Sequence, residues 1–185
     1  PLVAAIIVGL APAALTKRIA LSAALAALVL FGIMACSFDP GAGDQFLVNI
    51  PWVPGLGISF KVAMDGISFL LVLLTVFLVP LIILSSFRHE YKKTRLFYSL
   101  ILVMQAALVG VFTALDAFLF YVFWELALIP IYLICLLWGG QDSARITLKF
   151  FIYTLFGSLL MLVGIVYLYL QTPASHTFDI EAFYR

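Results

Sequence analysis

The stretch that decides the fold is Ala117–Trp138, AFLFYVFWELALIPIYLICLLW, in which Glu125 is the one charged residue. A helix of about 20 apolar residues is long enough to cross the hydrocarbon core of a bilayer. An ionisable group inside such a span costs about 2.5 kcal/mol or more, and it marks an ion or proton pathway by default. Two interpretations of Glu125 are open: a carboxylate that carries a proton, or a neutral structural glutamate that is hydrogen-bonded between helices.

The composition of the whole chain agrees with a lipid environment. Hydrophobic residues make up 65% of the 185 residues, charged residues make up 10%, and the mean hydropathy is +1.22. Soluble domains carry about 25% charged residues, so a soluble class is excluded. A net charge of +1 leaves no basic surface for nucleic acid. Cys36 and Cys135 lack the spacing of a disulfide or a zinc site, and we interpret both as small hydrophobic residues.

The sequence predicts an all-α fold, a polytopic bundle of transmembrane helices within a single membrane domain. Lipid offers no partners to backbone amides and carbonyls, so apolar spans must form helices. Six predicted spans follow one another, at about 1–15, 19–37, 62–87, 96–115, 117–138 and 146–171. The first span is short and no Met precedes it, which predicts that the chain lacks its true N-terminus. The loop 38–61 is rich in Pro and Gly and is predicted to form an extended cap on the membrane face.

Basic residues predict the orientation of the bundle. Eight of the ten lie at the first, third and fifth breaks between spans, namely Lys17, Arg18, Arg88, Lys92, Lys93, Arg95, Arg145 and Lys149. Lys61 and Arg185 fall on the other side. Because cytoplasmic loops carry an excess of Lys and Arg, we expect the N-terminus, the loop 38–61 and the tail after Gln171 on the periplasmic side.

Helical spacing predicts which side chains surround Glu125. Tyr121 lies four residues before it and Tyr132 seven after, so both share its face. Pro130 cannot donate to the carbonyl of Leu126, which is therefore free to bind an ordered water close to the carboxylate. Desolvation favours the neutral form of a carboxyl group, whereas a nearby cation favours the ionised form. A carboxylate placed in this way can be switched by the movement of one partner charge.

Lys149 is the second candidate and lies one turn into the sixth span. It is either a lysine that extends to the lipid headgroups or the entrance of a polar path. Glu125 lies 13 residues before Trp138, about 20 Å of helix from that end of the span. We therefore expect no direct ion pair between Glu125 and Lys149, and a link through water stays open.

Three further polar residues accompany the predicted spans. Asp65 and Asp116 each precede a helix and are predicted N-terminal caps, although Asp65 is also a candidate for a polar seam with Ser68. Gln105, in the middle of the fourth span, is either a contact between helices or a member of a proton path, and we favour the contact.

No cofactor is predicted for this chain. His89 and His176 lie in loops on opposite faces of the membrane and cannot ligate one haem. No Cys cluster with iron–sulfur spacing and no Gly-rich phosphate loop occurs in the sequence. Any energy that drives transport must then come from another subunit or from an ion gradient.

Four segments resemble one family in the right order: Val111–Gly140 (VFTALDAFLFYVFWELALIPIYLICLLWGG), Asn49–Thr75 (NIPWVPGLGISFKVAMDGISFLLVLLT), Lys149–Thr154 (KFFIYT) and Thr177–Phe183 (TFDIEAF). They resemble chain 4, or chain M, of proton-pumping NADH–quinone oxidoreductase, respiratory complex I, which is related to Na⁺/H⁺ antiporter subunits. The resemblance implies about fourteen helices, of which this chain holds the first six. It also implies that Glu125, in Trp124-Glu125, is the essential partner of a lysine on the seventh helix, beyond Arg185. A central lysine of the eighth helix and an acidic residue of the twelfth would complete the path.

The resemblance implies a proton-translocating subunit without a redox centre of its own. Flavin and iron–sulfur clusters are then expected in partner subunits, and the partners are the other membrane and peripheral subunits of complex I, the lipid bilayer and protons. The expected location is the bacterial inner membrane. A subunit of a multisubunit Na⁺/H⁺ antiporter, a relative from a membrane-bound hydrogenase and a membrane scaffold without transport activity are the alternatives.

Overall fold

Apolar helices dominate the computed structural model, which describes residues 1–89, 91–172 and 176–184. Six α-helices lie within these residues: α1 (Leu2–Leu10), α2 (Ala13–Ala35), α3 (Gly66–Ser85), α4 (Thr94–Thr113), α5 (Ala117–Trp138) and α6 (Ser143–Gln171). Two strands, β1 (Gln45–Val53) and β2 (Ile58–Met64), pair antiparallel between α2 and α3. The helices α2 to α6 are long and apolar enough to cross a membrane. The predicted all-α membrane bundle is therefore confirmed.

The break predicted at Thr16–Arg18 is wrong, because these residues lie inside α2. Pro12 separates α1 from α2 instead: it disfavours helical geometry in the residue before it and fits the start of the next helix. The Lys17 ammonium is accommodated at the helix end because it donates to the carbonyls of Phe87 and His89, at 3.0 and 3.1 Å. Lys17 therefore lies at the same end of the bundle as the loop that follows α3.

The third span begins later than predicted, since residues 58–64 form β2 rather than the first turn of a helix. The extended cap predicted for residues 38–61 is an antiparallel hairpin that closes through a tight turn at Gly57, which has φ +65°. A Cβ atom at Gly57 would lie 2.3 Å from the carbonyl oxygen of His176, so both the turn and the neighbouring chain favour glycine there.

Helix α4 lies at the centre of the packing and contacts α1, α2, α3 and α5. The Ser86 and Tyr98 hydroxyls are hydrogen-bonded at 2.8 Å, which fixes the register between α3 and α4. Toward the other end of α4, Gly110 lets α5 approach closely, because a Cβ atom there would lie 2.4 Å from the Phe123 ring. Among the long helices described, α6 packs mainly against α5.

The two ends of the bundle differ in charge. Trp138 donates from its indole N–H to the carbonyl of Lys92 at 2.9 Å, so the loop between α3 and α4 meets the end of α5. This end holds the basic residues that the sequence groups together, among them Lys17. The hairpin and residues 176–184 meet at the opposite end, where Lys61 contacts Asp179. The grouping of the described basic residues is as predicted, whereas Arg185 lies outside the described residues. The compartment that each end faces stays a prediction.

Candidate functional site

Glu125 lies in the middle of α5, on the face that packs against α6. The Tyr132 ring, on the same face, lies 4.7 Å from the Phe151 ring of α6, measured between centroids. Tyr121 lies beside both Glu125 and Ser158 of α6. The site is therefore formed between α5 and α6, about halfway along both helices.

The carboxylate of Glu125 is only partly paired. Its Oε1 atom is buried and has no hydrogen-bond partner among the described residues. A buried polar atom without a partner costs about 1–3 kcal/mol, and more when it carries charge. Glu125 thus has unused hydrogen-bonding capacity in the membrane interior.

Ser158 was not connected with Glu125 by sequence reasoning. It is buried, and its hydroxyl donates to the carbonyl of Leu155 at 2.9 Å, which leaves the oxygen free to accept. The buried residues of α6 are Thr147, Ser158 and Ile165. They are eleven and seven residues apart, a spacing that places them on one face of a helix. This spacing is the signal in the sequence for the face of α6 that packs against α5.

Pro130 is fully buried on α5, and it lies one turn after Leu126. Since proline has no N–H, the carbonyl of Leu126 loses its usual helical donor. This acceptor lies next to Glu125 in the sequence, so the middle of α5 contains two groups that need hydrogen-bond partners. The position of Pro130 inside α5 is as predicted, and the ordered water at the carbonyl of Leu126 stays a prediction.

Lys149 and Glu125 are not brought together. Lys149 is exposed, and it lies two residues from both Thr147 and Phe151, which belong to the face of α6 toward α5. Two residues correspond to about 200° around a helix, so Lys149 is on the opposite face. Tyr153, one turn further along, is exposed there as well. A role for Lys149 in a polar path would therefore involve a partner on the outward side of α6.

Asp65 caps α3 at its first turn. It accepts from the Ser68 amide at 2.7 Å and from the Ser68 hydroxyl. The Ser68 hydrogen bonds hold the pKa of Asp65 below its usual range, so the cap stays ionised at neutral pH and its contribution is lost only in acid. Thr75, the buried continuation of this seam, donates to the carbonyl of Leu71 at 2.9 Å and is satisfied within the helix.

Asp116 caps α5 and also joins it to the hairpin. Its Oδ1 accepts from the amides of Phe118 and Leu119, both at 3.0 Å, as the sequence predicts for a cap. Its Oδ2 accepts from the amide of Ser59 on β2 at 2.9 Å, which the sequence does not reveal. Asp116 is fully buried, so both oxygens are removed from water.

Lys61 forms an ion cluster that sequence reasoning did not predict. Its ammonium lies 2.8 Å from Asp179 and 3.0 Å from Glu181, and the lysine is buried. Burial lowers the pKa of Lys61, but hydrogen bonds from its ammonium to Asp179 and Glu181, together with their charges, outweigh burial and raise the pKa above its ordinary value. The cluster ties the hairpin to the segment that follows α6.

We expect Lys61→Met to weaken this tie and lower the stability of the purified complex by about 1–2 kcal/mol, a modest figure because Glu181 is half exposed. A lysine whose pKa is raised in the folded state stabilises the fold fully at pH values below its ordinary pKa. This stabilisation is lost as the pH rises through the pKa of the folded state. The difference from wild type should therefore stay constant from neutral pH to about 10. Thermal unfolding across this range checks it, with the exposed Lys92→Met as control; equal midpoints for both variants would contradict the prediction.

The comparisons with known proteins agree with this architecture. The family model for the amino terminus of NADH-ubiquinone oxidoreductase chain 4 matches residues 3–111. A second model, for the transmembrane part of NADH:quinone oxidoreductase and Mrp antiporter subunits, matches residues 114–184. The first match alone covers more than half of the chain. The chain belongs to the chain 4 family.

Curated members of the chain 4 family are similar to most of this chain. It is 45% identical over 149 residues to F(420)H(2) dehydrogenase subunit M of Methanosarcina mazei, a match that covers 78% of this chain and 30% of the relative. It is 38% identical over 168 residues to NADH-quinone oxidoreductase subunit M of Rhodobacter capsulatus, a match that covers 90% of this chain and 32% of the relative. The chain thus spans about a third of the length of these relatives.

Solved structures place the chain 4 fold in larger assemblies. Respiratory complex I from Thermus thermophilus contains a chain that is 33% identical, with a TM-score of 0.82, over 99% of this chain and 37% of that one. A chain of the Mrp complex from a Dietzia species shares the fold, with a TM-score of 0.81 and 16% identity, over 94% of this chain and 19% of that one. The chain is therefore an antiporter-like membrane subunit of the complex I family.

Proposed function

We infer that this chain provides the Glu125 half of a proton-transfer path in a membrane-bound oxidoreductase, as a subunit without a redox centre. The observation that carries the proposal is the Oε1 atom of Glu125, which is buried in the middle of α5 without a hydrogen-bond partner among the described residues. An ionisable residue inside a membrane span marks a proton or ion pathway by default. Membership of the complex I family supports the proposal, because its named relatives are subunits of quinone oxidoreductases.

The surroundings of Glu125 suit a carboxyl group that changes its protonation state. Without a cation nearby, a desolvated carboxyl group prefers to be neutral; a cation brought close favours the ionised form. The Tyr121 hydroxyl lies beside Glu125 and also beside the Ser158 hydroxyl, and such groups can pass a proton through water. The resemblance to complex I implies that the cation is a lysine on the seventh helix, which redox events in the partner subunits would draw near or release.

The relatives with the higher sequence identity favour proton transfer over Na⁺/H⁺ exchange. The named relatives of 45% and 38% identity are dehydrogenase and quinone oxidoreductase subunits. The Mrp complex shares the fold at 16% identity, which carries no inference about the transported ion. Proton-translocating quinone reduction is therefore the proposed activity of the assembly, and Na⁺/H⁺ exchange is the alternative.

The proposal is tested with the whole complex, containing the full-length subunit, in sealed membrane vesicles. Adding the electron donor should acidify the lumen of inverted vesicles at the same rate with and without Na⁺, and an uncoupler should abolish the acidification. Uptake of ²²Na⁺ that depends on the electron donor, or acidification that requires Na⁺, would overturn proton transfer in favour of Na⁺ transport.

Removing the hydroxyl group of Tyr121 or of its neighbour Ser158 is expected to slow pumping without abolishing it. Tyr121→Phe and Ser158→Ala should each reduce the pumping rate about two- to tenfold, the effect of one lost hydrogen bond. Tyr153→Phe is the matched control, because the same change is made on the exposed, opposite face of α6. The initial rate of lumen acidification measures the effect, and a larger loss for Tyr153→Phe than for Tyr121→Phe would contradict the prediction.

A further inference from the structure

An apolar cluster fills the space between α5 and α6 on the hairpin side of Glu125. Its buried members come from four parts of the chain, namely β2, the start of α5, the last third of α6 and the segment after α6. They are Ile58, Ala117, Ile165 and Phe178, with Phe118, Met161 and Tyr169 packed against them. The cluster therefore lies between Glu125 and the end of the bundle that carries the hairpin.

Tyr121 marks the border between this cluster and Glu125. It packs against the apolar cluster, whereas its hydroxyl lies beside Glu125 and Ser158. On α6, Met161 and Ile165 follow Ser158 on the same helix face, three and seven residues further toward the hairpin end. The groove between the two helices is thus polar at Glu125 and becomes apolar within one turn in the direction of the hairpin.

Phe178 is held in this groove by both its backbone and its ring. Its carbonyl accepts from the amide of Ala117 at 2.8 Å, and its amide donates to the carbonyl of Gly57 in the hairpin turn at 3.4 Å. Its ring stacks on Tyr169 of α6 at 4.3 Å between centroids and lies 5.7 Å from the Phe118 ring of α5. These are the separations of aromatic rings in contact. One buried side chain therefore bridges α5 and α6 at the hairpin end of the groove.

The same two helix faces are more polar on the other side of Glu125. Tyr132 lies seven residues after Glu125 and contacts Phe151 of α6. Thr147, one turn before Phe151 on that face, is buried as well. Polar and charged species are unstable in an apolar layer that offers them no hydrogen-bond partners. The barrier to a proton in this groove is therefore higher toward the hairpin end than toward the basic end.

We propose that Phe178 seals the groove between α5 and α6 and so separates Glu125 from the aqueous compartment at the hairpin end. The inference rests on the proposed proton transfer at Glu125. A carboxyl group that is open to both compartments would let protons flow back and dissipate the gradient. Phe178 prevents this flow by excluding water, and it takes no part in proton transfer itself.

Labelling of a thiol beside Tyr121 tests the seal directly. Ser158→Cys is made in the full-length subunit together with Cys36→Ser and Cys135→Ser. Mass spectrometry of this chain then measures the reaction of the new thiol with a membrane-impermeant reagent in the assembled complex. Asn49→Cys, on the exposed strand β1 of the same background, identifies the vesicles whose hairpin end faces the reagent.

From the hairpin end, Ser158→Cys should react slowly while Phe178 is present. Adding Phe178→Ala should raise the labelling rate at least about tenfold, which corresponds to a barrier lowered by about 1.4 kcal/mol. Phe178→Leu should keep the slow rate because leucine leaves an apolar side chain in the groove. Phe77→Ala, which removes an exposed ring from α3, is the control and should also keep it. Rapid labelling with Phe178 in place, or no increase with Phe178→Ala, overturns the seal.

Passive proton flow separates this inference from the proposed function. Without an electron donor, an imposed pH gradient should decay faster with Phe178→Ala than with wild type, and adding Glu125→Gln should restore the slow decay. If Phe178→Ala does not assemble, Ile165→Thr serves as the second variant, because it places a hydroxyl group in the same cluster. Wild-type decay in the assembled variant overturns the seal even where Glu125→Gln abolishes pumping. Normal pumping by Glu125→Gln overturns the proposed function, whatever Phe178→Ala does.

Discussion

Glu125→Gln is expected to abolish proton pumping in vesicles while the complex still assembles. Glutamine has nearly the same shape as glutamate but cannot release or bind a proton, and positioned proton-transfer groups contribute about 10²–10⁴-fold to rates. Pumping should therefore fall at least about tenfold even if water replaces part of the path. The measurement is the ratio of protons moved to electrons transferred in sealed vesicles, together with the amount of assembled complex.

The rate of electron transfer shows whether the protonation of Glu125 is coupled to the redox reaction. If the protonation of Glu125 is coupled to the redox reaction in the partner subunits, quinone reductase activity should fall in step with pumping. The exposed carboxylate Asp44 in the loop before β1 offers the matched control, and Asp44→Asn should leave both activities unchanged. Unchanged pumping at unchanged turnover in Glu125→Gln would make the residue a packing element and would favour a membrane scaffold.

A substitution that keeps the carboxyl group tests whether its position matters as well as its ability to carry a proton. Glu125→Asp retains a carboxyl group but withdraws it from Tyr121 by one methylene group. Partial pumping is expected, between that of wild type and Glu125→Gln, because the proton can still be carried through a longer path. Activity as low as that of Glu125→Gln would show that the position of the carboxyl group matters as much as its charge.

The parts of this molecule that local patterns determine could be read from the sequence. Glu125 and the caps Asp65 and Asp116 follow from hydropathy and from the residue types that start helices. The break at Thr16–Arg18 was predicted wrongly, because a charge was interpreted as the end of a span. Pro12 sets the boundary, and the carbonyls of the loop after α3 accommodate Lys17 inside α2.

Contacts between distant residues could not be derived in this way. Lys61 and Asp179 are 118 residues apart, and neither residue type nor spacing links them. Gln105 shows the same limit: the sequence places it in the middle of a span, but only the packing of α3 against α4 shows that both its polar atoms lack a partner. Helical periodicity identifies the face on which a residue lies and does not identify the helix that covers it.

Asp116→Ala is expected to have the largest effect on stability of the substitutions considered. One carboxylate satisfies three backbone amides from two elements, and it is removed from water. Loss of an N-terminal cap costs about 0.5–2 kcal/mol. The partly buried amide of Ser59, left without an acceptor, adds about 1 kcal/mol or more. The chain around Asp116 also joins the hairpin to the segment after α6, since Leu115 donates to the carbonyl of Lys61 at 2.9 Å and Ala117 donates to the carbonyl of Phe178 at 2.8 Å. We therefore expect less assembled complex and a lower thermal midpoint.

Asp116→Asn separates the two roles of this carboxylate. The Oδ1 atom of asparagine can still cap α5, whereas its amide group faces the Ser59 N–H with a donor in place of an acceptor. The expected cost is about 1–3 kcal/mol, below that of alanine because the cap is retained. Asp142→Asn is the control, because Asp142 precedes α6 without a side-chain hydrogen bond to the helix. If Asp116→Asn is as stable as wild type, the hairpin does not depend on this contact; if it is as damaging as alanine, the contact with Ser59 rather than the cap holds α5 in place.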